Sequence, residues 1–362
     1  TRWNTEVNDI INNLYMRKDK RNGNSIESKL NKINDESLIA LNKEQVKAVN
    51  AIITQNIIFL SGGPGTGKTR TIVEMIKNVL ICYPNSTIGL SAPTGKATRR
   101  LKETISKNTS EMSDYFKNKL TSLPCKTIHS WLSYSKKGFK KNQKSPILLD
   151  VFIIDEMSMV DLFLMKSLLD ALTNNTKIIL VGDPKQLAPV NIGDIWEKLH
   201  QNDINKKFKE NSIKLSKTYR NRGDIARFAD ILQSKGLEYF WTKLDNIKED
   251  SNIIFNRSFN NKIPIDILLK IKHNHNSIKI LLEKLLFENE LLDDIENKFV
   301  LENIFNKLDD FMVLSPINYG LWSVNHINKI FLGEALEKEI NQWPEGTPVI
   351  CKHNQPNLGL SN

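Results

Sequence analysis

The sequence feature that most constrains the fold is a glycine-rich segment at residues 61–69, Ser-Gly-Gly-Pro-Gly-Thr-Gly-Lys-Thr. The apolar run Ile-Ile-Phe-Leu precedes it at residues 57–60, and a segment with helical character follows it at residues 71–80. Gly62, four intervening residues and then Gly67, Lys68 and Thr69 fit the P-loop pattern, which requires a strand before the loop and a helix after it. The sequence therefore predicts an α/β fold that carries a phosphate-binding loop.

The chemistry of this loop follows from its residue types. Glycines let consecutive backbone N–H groups turn toward one anion, and the N-terminus of the next helix adds partial positive charge. Lys68 is the candidate contact to the β- and γ-phosphates, and the Thr69 hydroxyl is the candidate magnesium ligand. A glycine-rich turn without a ligand is the alternative. The predicted nucleotide contacts in this segment are Gly63, Pro64, Gly65, Thr66, Gly67, Lys68, Thr69 and Arg70.

Composition limits the class of protein and the kind of partner. A chain of 362 residues is long enough for about two or three domains. Its net charge of +10 suits a polyanionic partner such as nucleic acid, although lysine-rich codon usage would give the same surplus. The cysteines are far apart, and no apolar run approaches the length of about 18 residues that a membrane span needs. We therefore expect a cytoplasmic protein with reduced cysteines and no membrane partner.

Two carboxylates follow an apolar run at residues 148–154. Such a run predicts a buried parallel strand, and α/β sheets bind ligands at the carboxyl ends of their strands. Asp155 is the candidate that holds magnesium, and Glu156 is the candidate that orients or deprotonates the attacking water. The alternative, an Asp-Glu pair that merely begins a loop, is disfavoured downstream of a P-loop.

A second apolar run at residues 177–182 leads to Gly-Asp-Pro-Lys-Gln, and Gln186 is the candidate sensor of the γ-phosphate. Further along, Tyr219 stands next to Arg220. An aromatic ring can stack on a purine while a neighbouring arginine contacts the γ-phosphate, although the pair alone is a weak signal.

Two further segments are candidates for contact with nucleic acid. Residues 87–97 read as a short strand, a Pro/Gly turn and a helix start, which could face a phosphate or be a plain turn. Residues 127–132 begin another helix, and a basic stretch with Phe139 follows at residues 134–144. Basic residues among aromatic ones suit a groove that follows a strand, although a solvated loop is equally compatible. His129 has no partner at metal-ligand spacing.

The predicted domains are 1–36, a helical remnant and linker; 37–205, a first nucleotide-binding domain with an insertion at about 133–147; and 206–362, a partial second domain. A lysine-rich stretch at 202–210 suggests the boundary. Residues 225–310 read as amphipathic helix, 311–316 and 348–351 as strands, and 324–332 as a helix.

In this order the motifs resemble those of superfamily 1 helicases, and within them the RecD group, which moves 5′ to 3′ along single-stranded DNA. The segments that carry the resemblance are 62–69, 92–97 (Ala-Pro-Thr-Gly-Lys-Ala), 153–161 (Ile-Ile-Asp-Glu-Met-Ser-Met-Val-Asp) and 181–190 (Val-Gly-Asp-Pro-Lys-Gln-Leu-Ala-Pro-Val). Residues 320–325 and 346–362 look like the alpha subunits of exodeoxyribonuclease V. The resemblance implies a P-loop NTPase with a RecA-like parallel sheet, helices on both faces, and an incomplete second RecA-like domain.

The resemblance also implies roles for individual residues. It assigns adenine to Gln45 and Tyr219, phosphate and Mg²⁺ to Lys68 and Thr69, and hydrolysis of ATP to Asp155 and Glu156. Gln186 and Arg220 would sense the γ-phosphate, and residues 138–146 would form the pin hairpin that splits a duplex. The implied DNA contacts are Pro93, Thr94, Lys96, Thr127, His129 and Trp131.

The implied function is ATP-dependent 5′ to 3′ movement and unwinding on single-stranded DNA or duplex ends, as a subunit beside RecB- and RecC-like partners in double-strand-break repair. The alternatives are a stand-alone RecD-like helicase, a superfamily 1 RNA helicase, and a non-catalytic nucleotide-binding assembly subunit. The sequence stops at Asn362, before two motifs that complete the second motor domain in this family. We therefore expect the chain as given to bind nucleotide but to hydrolyse it slowly.

Overall fold

The computed structural model describes residues 2–18, 41–109, 112–135, 138–219, 223–247, 251–256, 262–287, 294–344 and 347–349. The chain divides into two compact units, Thr1–Ile253 and Ile254–Leu360. No helix within the described ranges has the length and apolar character needed to cross a bilayer.

The first unit is built on a six-stranded parallel sheet. Its strands are β1 (Ile57–Gly62), β2 (Ile88–Ala92), β3 (Cys125–Thr127), β6 (Val151–Ile154), β7 (Lys177–Gly182) and β8 (Ser212–Leu215). They lie in the order β3-β2-β6-β7-β1-β8. Strands β1, β2 and β6 are buried along their whole length, because helices cover both faces of the sheet. The predicted P-loop NTPase fold and its apolar strands are confirmed.

Most helices of the first unit carry apolar residues at helical spacing and pack on the two faces of the sheet, while the last two contact each other through Phe228 and Phe240. The helices of this unit are α1 (Arg2–Lys18), α2 (Lys43–Thr54), α3 (Lys68–Cys82), α4 (Gly95–Asn108), α5 (Asp114–Thr121), α6 (Ile128–Trp131), α7 (Leu162–Ala171), α8 (Ile195–His200), α9 (Asn202–Lys207), α10 (Gly223–Ser234) and α11 (Leu237–Asp245).

Helix α1 is part of the first core. Val7, Ile10, Ile11 and Leu14 lie in the same buried cluster as strand residues of the sheet. The Arg17 guanidinium is 2% exposed and donates to the carbonyls of Leu169, Leu172 and Thr173 at the end of α7. Burial lowers the pKa of Arg17 to about 10. A cation at a helix C-terminus satisfies carbonyls that have no helical partner, so α1 is fastened to α7 as well as packed on it.

The predicted boundary between residues 205 and 206 falls within the first compact unit. Strand β8 pairs with β1, and Phe208, in the lysine-rich stretch, is fully buried against the core. A single buried ring anchors a segment whose polar composition resembles a linker. The compact unit continues to Ile253. The division of the chain into motor domains stays a prediction.

The described residues of the second unit are mainly helical. Helices α12 (Ile265–Phe287) and α13 (Asp294–Asp310) pack together through Ile278, Val300 and Ile304. Helix α14 (Val324–Leu332) is the one predicted at residues 324–332. Residues 311–316 form no strand, so that prediction is wrong, and their apolar side chains Met312, Val313 and Leu314 are exposed. Residues 348 and 349 are irregular, and 350–351 lie outside the described residues.

Candidate nucleotide and nucleic-acid site

The functional side chains meet at the carboxyl edge of the parallel sheet. Strand β7 lies between β6 and β1, so the ends of these three strands are neighbours. The P-loop follows β1, Asp183 follows β7, and Asp155 follows β6. This is the edge at which open α/β sheets bind ligands. The sheet order therefore gathers groups that are far apart in the sequence.

The P-loop has the backbone geometry of an anion cradle. Gly65 and Gly67 have φ values of 73° and 83°, in the left-handed region that favours glycine. Thr66 Oγ1 donates to the Gly63 carbonyl at 2.8 Å, which closes the loop. Lys68 Nζ donates to the carbonyls of Gly62 and Gly63 at 2.7 and 3.0 Å. The predicted phosphate-binding lysine therefore lies inside the loop, at the start of α3.

Gln45 lies directly behind the loop. It is 1% exposed, and its Oε1 accepts from the Asn42 N–H at 3.0 Å while the Gln45 N–H donates to Asn42 Oδ1 at 2.9 Å. This capping box begins α2. Gln45 Nε2 would be 2.7 Å from a Cβ on Gly67. Gln45 is therefore buried against the P-loop.

Tyr219 lies against the same loop. Its N–H donates to the Gly65 carbonyl at 2.7 Å, and its hydroxyl accepts from Asn42 Nδ2 at 3.0 Å. The ring is 43% exposed and would be 3.9 Å from a Cβ on Gly67. The structure thus brings Gln45 and Tyr219 together at the P-loop. Arg220 lies outside the described residues.

A carboxylate holds the segment that leads to Tyr219. Glu44 accepts from the Ser216 N–H at 2.7 Å and from the Ser216 hydroxyl. Burial would raise the pKa of Glu44, but these hydrogen bonds outweigh it and lower the pKa below its ordinary value. Glu44 and Asn42 together fasten residues 216–219 to the start of α2.

Asp155 and Glu156 end β6 in different environments. Asp155 is buried, and its Oδ1 accepts from the Glu156 N–H at 2.8 Å. Burial, with the neighbouring Glu156 charge, raises the pKa of Asp155 to about 6, and the charges of Lys68 and Arg100 act against this rise. Glu156 is half-buried and has a φ of 56°, a conformation that is costly for a residue other than glycine. The two carboxylates therefore differ in solvation, as their separate predicted roles require.

Ser158 and Gln186 connect the ends of β6 and β7. The Ser158 hydroxyl donates to Gln186 Oε1 at 2.8 Å, and Ser158 is buried. Asp183 is also buried and lies 3.9 Å from where a Cβ on Gly63 would be. The sequence reading left out Ser158, Asp183 and Asn42 as site residues. For Asn42 a signal was present, since Asn followed three residues later by Gln marks a capping box.

The candidate DNA contacts lie at the other end of this edge, where β2 and β3 are neighbours. Thr94 caps α4 by accepting from the Ala97 N–H at 3.2 Å, and Thr127 caps α6 by accepting from the Ser130 N–H at 3.2 Å. Pro93 is half-buried and Lys96 is exposed. An open groove beside them is lined by Arg99, Lys102 and Lys126, among others. These cations were not among the predicted contacts.

The rings of Trp131 and His129 both contact other aromatic rings. The Trp131 indole N–H donates to the Leu90 carbonyl at 2.9 Å, and its ring packs edge-on against Phe152. His129 is exposed and lies 5.8 Å from the rings of Tyr134 and Phe139. Trp131 therefore anchors α6 to the sheet, and its contact with DNA stays a prediction.

Magnesium would need oxygen ligands at this edge. No group of three or more His, Cys, Asp or Glu side chains that could hold a metal occurs among the described residues. Mg²⁺ commonly uses one or two protein oxygens together with phosphates and waters, which matches the buried Asp155 carboxylate and the Thr69 hydroxyl. The donor set therefore fits a nucleotide-bound ion rather than a metal held by the protein alone.

The parallel sheet, the glycine cradle with Lys68, and the carboxylates of β6 define a P-loop nucleotide-binding protein. The AAA domain family matches residues 45–191. The chain resembles the RecD subunit of the RecBCD enzyme along nearly its whole length. It is 32% identical to that subunit of Buchnera aphidicola subsp. Acyrthosiphon pisum, with 99% of this chain and 64% of the relative aligned. The RecD subunit of Mycolicibacterium smegmatis is 31% identical over 88% of this chain and 56% of its own length.

A further relative is the ATP-dependent RecD2 DNA helicase of Deinococcus radiodurans, which is 35% identical over 42% of this chain and 19% of its own length. The chain thus spans less than two thirds of the length of these relatives.

Proposed function

We propose that the chain carries the ATP-driven motor of a RecD-type DNA helicase, which moves 5′ to 3′ along single-stranded DNA. The observation that carries this proposal is the convergence of the P-loop, Asp155, Asp183 and Gln186 at one sheet edge, beside a groove lined by cations. The similarity to RecD subunits along nearly the whole chain supports the same function.

In this proposal the P-loop holds the triphosphate. Lys68 exchanges its two loop carbonyls for phosphate oxygens, because the negative charge of the phosphate attracts the ammonium group more strongly than a neutral carbonyl does. Thr69 and Asp155 would hold Mg²⁺, and the bound ion would neutralise phosphate charge. Glu156, the more solvated carboxylate, orients the attacking water and accepts its proton.

The base and the γ-phosphate are read by residues around the loop. Tyr219 and Gln45 flank Gly67 and take the adenine, with Asn42 holding the Tyr219 hydroxyl. Gln186 senses the γ-phosphate with its amide oriented by Ser158, and Arg220 shares this role. The Ser158–Gln186 bond joins two strand ends, so a change at the phosphate reaches both.

Nucleic acid would lie along the groove beside α4 and α6. Arg99, Lys102 and Lys126 neutralise backbone phosphates, and the exposed Lys96 on the same helix as Arg99 and Lys102 adds positive charge. Thr94 and Thr127 begin helices there, so backbone N–H groups add to the attraction. RecB- and RecC-like subunits are the proposed partners in a helicase-nuclease that acts on double-strand breaks.

A strand-displacement assay with the whole protein tests this function. Duplexes that carry a 5′ single-stranded tail, a 3′ tail or no tail are compared in the presence of ATP, with Lys68→Ala as the inactive control. The proposal expects opening of the 5′-tailed duplex by the wild type alone. Opening only from a 3′ tail, or preference for an RNA strand of the same sequence, contradicts it.

A second measurement separates a subunit from a stand-alone helicase. The whole protein is purified under native conditions from its own cells, and the copurifying chains are identified. RecB- and RecC-like chains in stoichiometric amounts support the subunit, whereas unwinding by an isolated monomer supports the stand-alone helicase.

A further inference from the structure

A short hairpin lies in the insertion that follows α6. Strands β4 (Tyr134–Ser135) and β5 (Gly138–Phe139) pair antiparallel, with Tyr134 opposite Phe139. The hairpin thus begins before the predicted residues 138–146, because Gly138, at a φ of 100°, starts its second strand instead of its first. Residues 142 and 145 form only an isolated bridge.

The ring of Phe139 stacks on Phe163, the second residue of α7. Their centroids are 5.9 Å apart with an interplanar angle of 25°. Phe163 is 68% exposed, although it stands on a helix whose neighbours Leu162 and Leu164 are buried. Because the Phe163 side chain is largely exposed, burial of its apolar surface stabilises it little. Its described ring contact is with Phe139 of the hairpin.

Helix α7 also holds the end of the insertion. The Ile147 N–H donates to the Ala171 carbonyl at 2.8 Å. At the start of the insertion, the N–H groups of Lys140 and Lys141 donate to the Leu132 carbonyl, each at 3.1 Å. The backbone is therefore fixed at the base of the hairpin, while Phe163 contacts its second strand through Phe139.

The start of α7 is tied to the loop that follows β7. Asp161 follows the segment of Asp155 and Glu156, and its Oδ1 accepts from the Leu164 N–H at 2.7 Å to cap α7. Its Oδ2 accepts from Asn191 Nδ2 at 2.8 Å, which ties in the loop after β7. The start of α7 thus carries both the Asp161 carboxylate, which binds the loop after β7, and the Phe163 ring, which contacts the hairpin.

We propose that Phe163 is the positioning residue that holds the β4–β5 hairpin in place for strand separation, through its stack on Phe139. The inference rests on the proposed helicase function for its biological role, but the support of the hairpin by Phe163 stands on the ring contact itself. The described ring contact of Phe163 is with the hairpin, so we expect hydrolysis of ATP not to depend on this side chain.

Hydrogen exchange tests the support directly. Phe163→Ala in the whole protein should speed exchange of the Lys140 and Lys141 amides about two- to tenfold, the range that loss of one aromatic pair gives to a local equilibrium. Phe163→Tyr keeps the ring and should restore the wild-type rate. Tyr115→Ala is the matched control, since Tyr115 is 49% exposed and its ring contacts its helix neighbour Phe116. Unchanged hairpin exchange in Phe163→Ala overturns the proposal, whether or not the protein opens duplex DNA.

A coupling measurement then tests the role in separation. The expected result for Phe163→Ala is hydrolysis of ATP on single-stranded DNA within about twofold of wild type, with base pairs opened per ATP reduced about two- to tenfold. Phe163→Tyr should recover this ratio. An equal loss of hydrolysis and opening, or an unchanged ratio, contradicts the role. Absence of opening by the wild type would count against the proposed function, and the exchange result would still decide whether Phe163 supports the hairpin.

Discussion

Replacement of Leu14 by Ala tests whether α1 is an integral part of the first unit. Leu14 is 0% exposed and lies in the core cluster shared with the sheet. Truncation of a buried leucine costs about 2 to 5 kcal/mol, through lost transfer energy and the cavity left behind. Because α1 is also fastened through Arg17, it cannot shift freely to fill the space. We therefore expect a loss near the middle of this range, about 3 kcal/mol.

The assay is thermal unfolding of the protein monitored by far-ultraviolet circular dichroism, and the quantity compared is the midpoint of the transition in which the first unit unfolds. For a unit of this size each kcal/mol lowers the midpoint by about 2 to 4 °C, so Leu14→Ala should lower it by about 6 to 12 °C. Met16→Ala on the same helix is the control. Met16 is 74% exposed, and its loss should cost no more than about 0.5 kcal/mol. A shift for Leu14→Ala no larger than that of Met16→Ala would refute the docking of α1.

Further predictions concern the nucleotide site. Tyr219→Phe and Asn42→Ser each remove the same neutral hydrogen bond, and Asn42→Ser keeps a capping residue. Each variant should weaken ATP binding about two- to fivefold, as titration with a fluorescent ATP analogue can measure. The double variant should bind ATP no more weakly than either single variant. Asp155→Asn should raise the stability of the metal-free protein by about 3 kcal/mol at pH 8 and change it little at pH 4, as urea unfolding at the two pH values can measure. The folded protein keeps the Asp155 proton to higher pH than the unfolded chain, so the contribution of Asp155 to wild-type stability falls as pH rises from about 4 to about 6. Equal effects of Asp155→Asn at both pH values would contradict the buried state of this carboxylate.

Parallel strands and the P-loop were predictable because their signals are local. Strands β1, β6 and β7 are continuous apolar runs, and each ends in the residues that carry the chemistry. Strand β8 was not predicted, because Ser-Ile-Lys-Leu is short and alternates polar with apolar residues, as an edge strand with one solvated side does. Its place in the sheet depends on pairing with β1, which is distant in sequence.

Contacts between distant residues were the part that the sequence did not reveal. Asn42 and Tyr219 meet only because α2 and the end of β8 flank the P-loop. Trp131 looked like a ring available to nucleic acid, yet its indole N–H is bound to the Leu90 carbonyl of β2. Phe163 reads as an ordinary helical residue, and only the path of the insertion after β3 brings Phe139 onto it. Such pairings depend on topology, and no local pattern encodes them.

The most direct test of the central claim is steady-state hydrolysis of ATP by the whole protein, measured with and without single-stranded DNA. An ATP-driven DNA motor predicts hydrolysis that rises when the DNA is added and falls to background in Lys68→Ala, while Lys96→Ala weakens the stimulation and keeps the DNA-independent rate. Hydrolysis that ignores DNA, or that survives the loss of Lys68, would contradict the account.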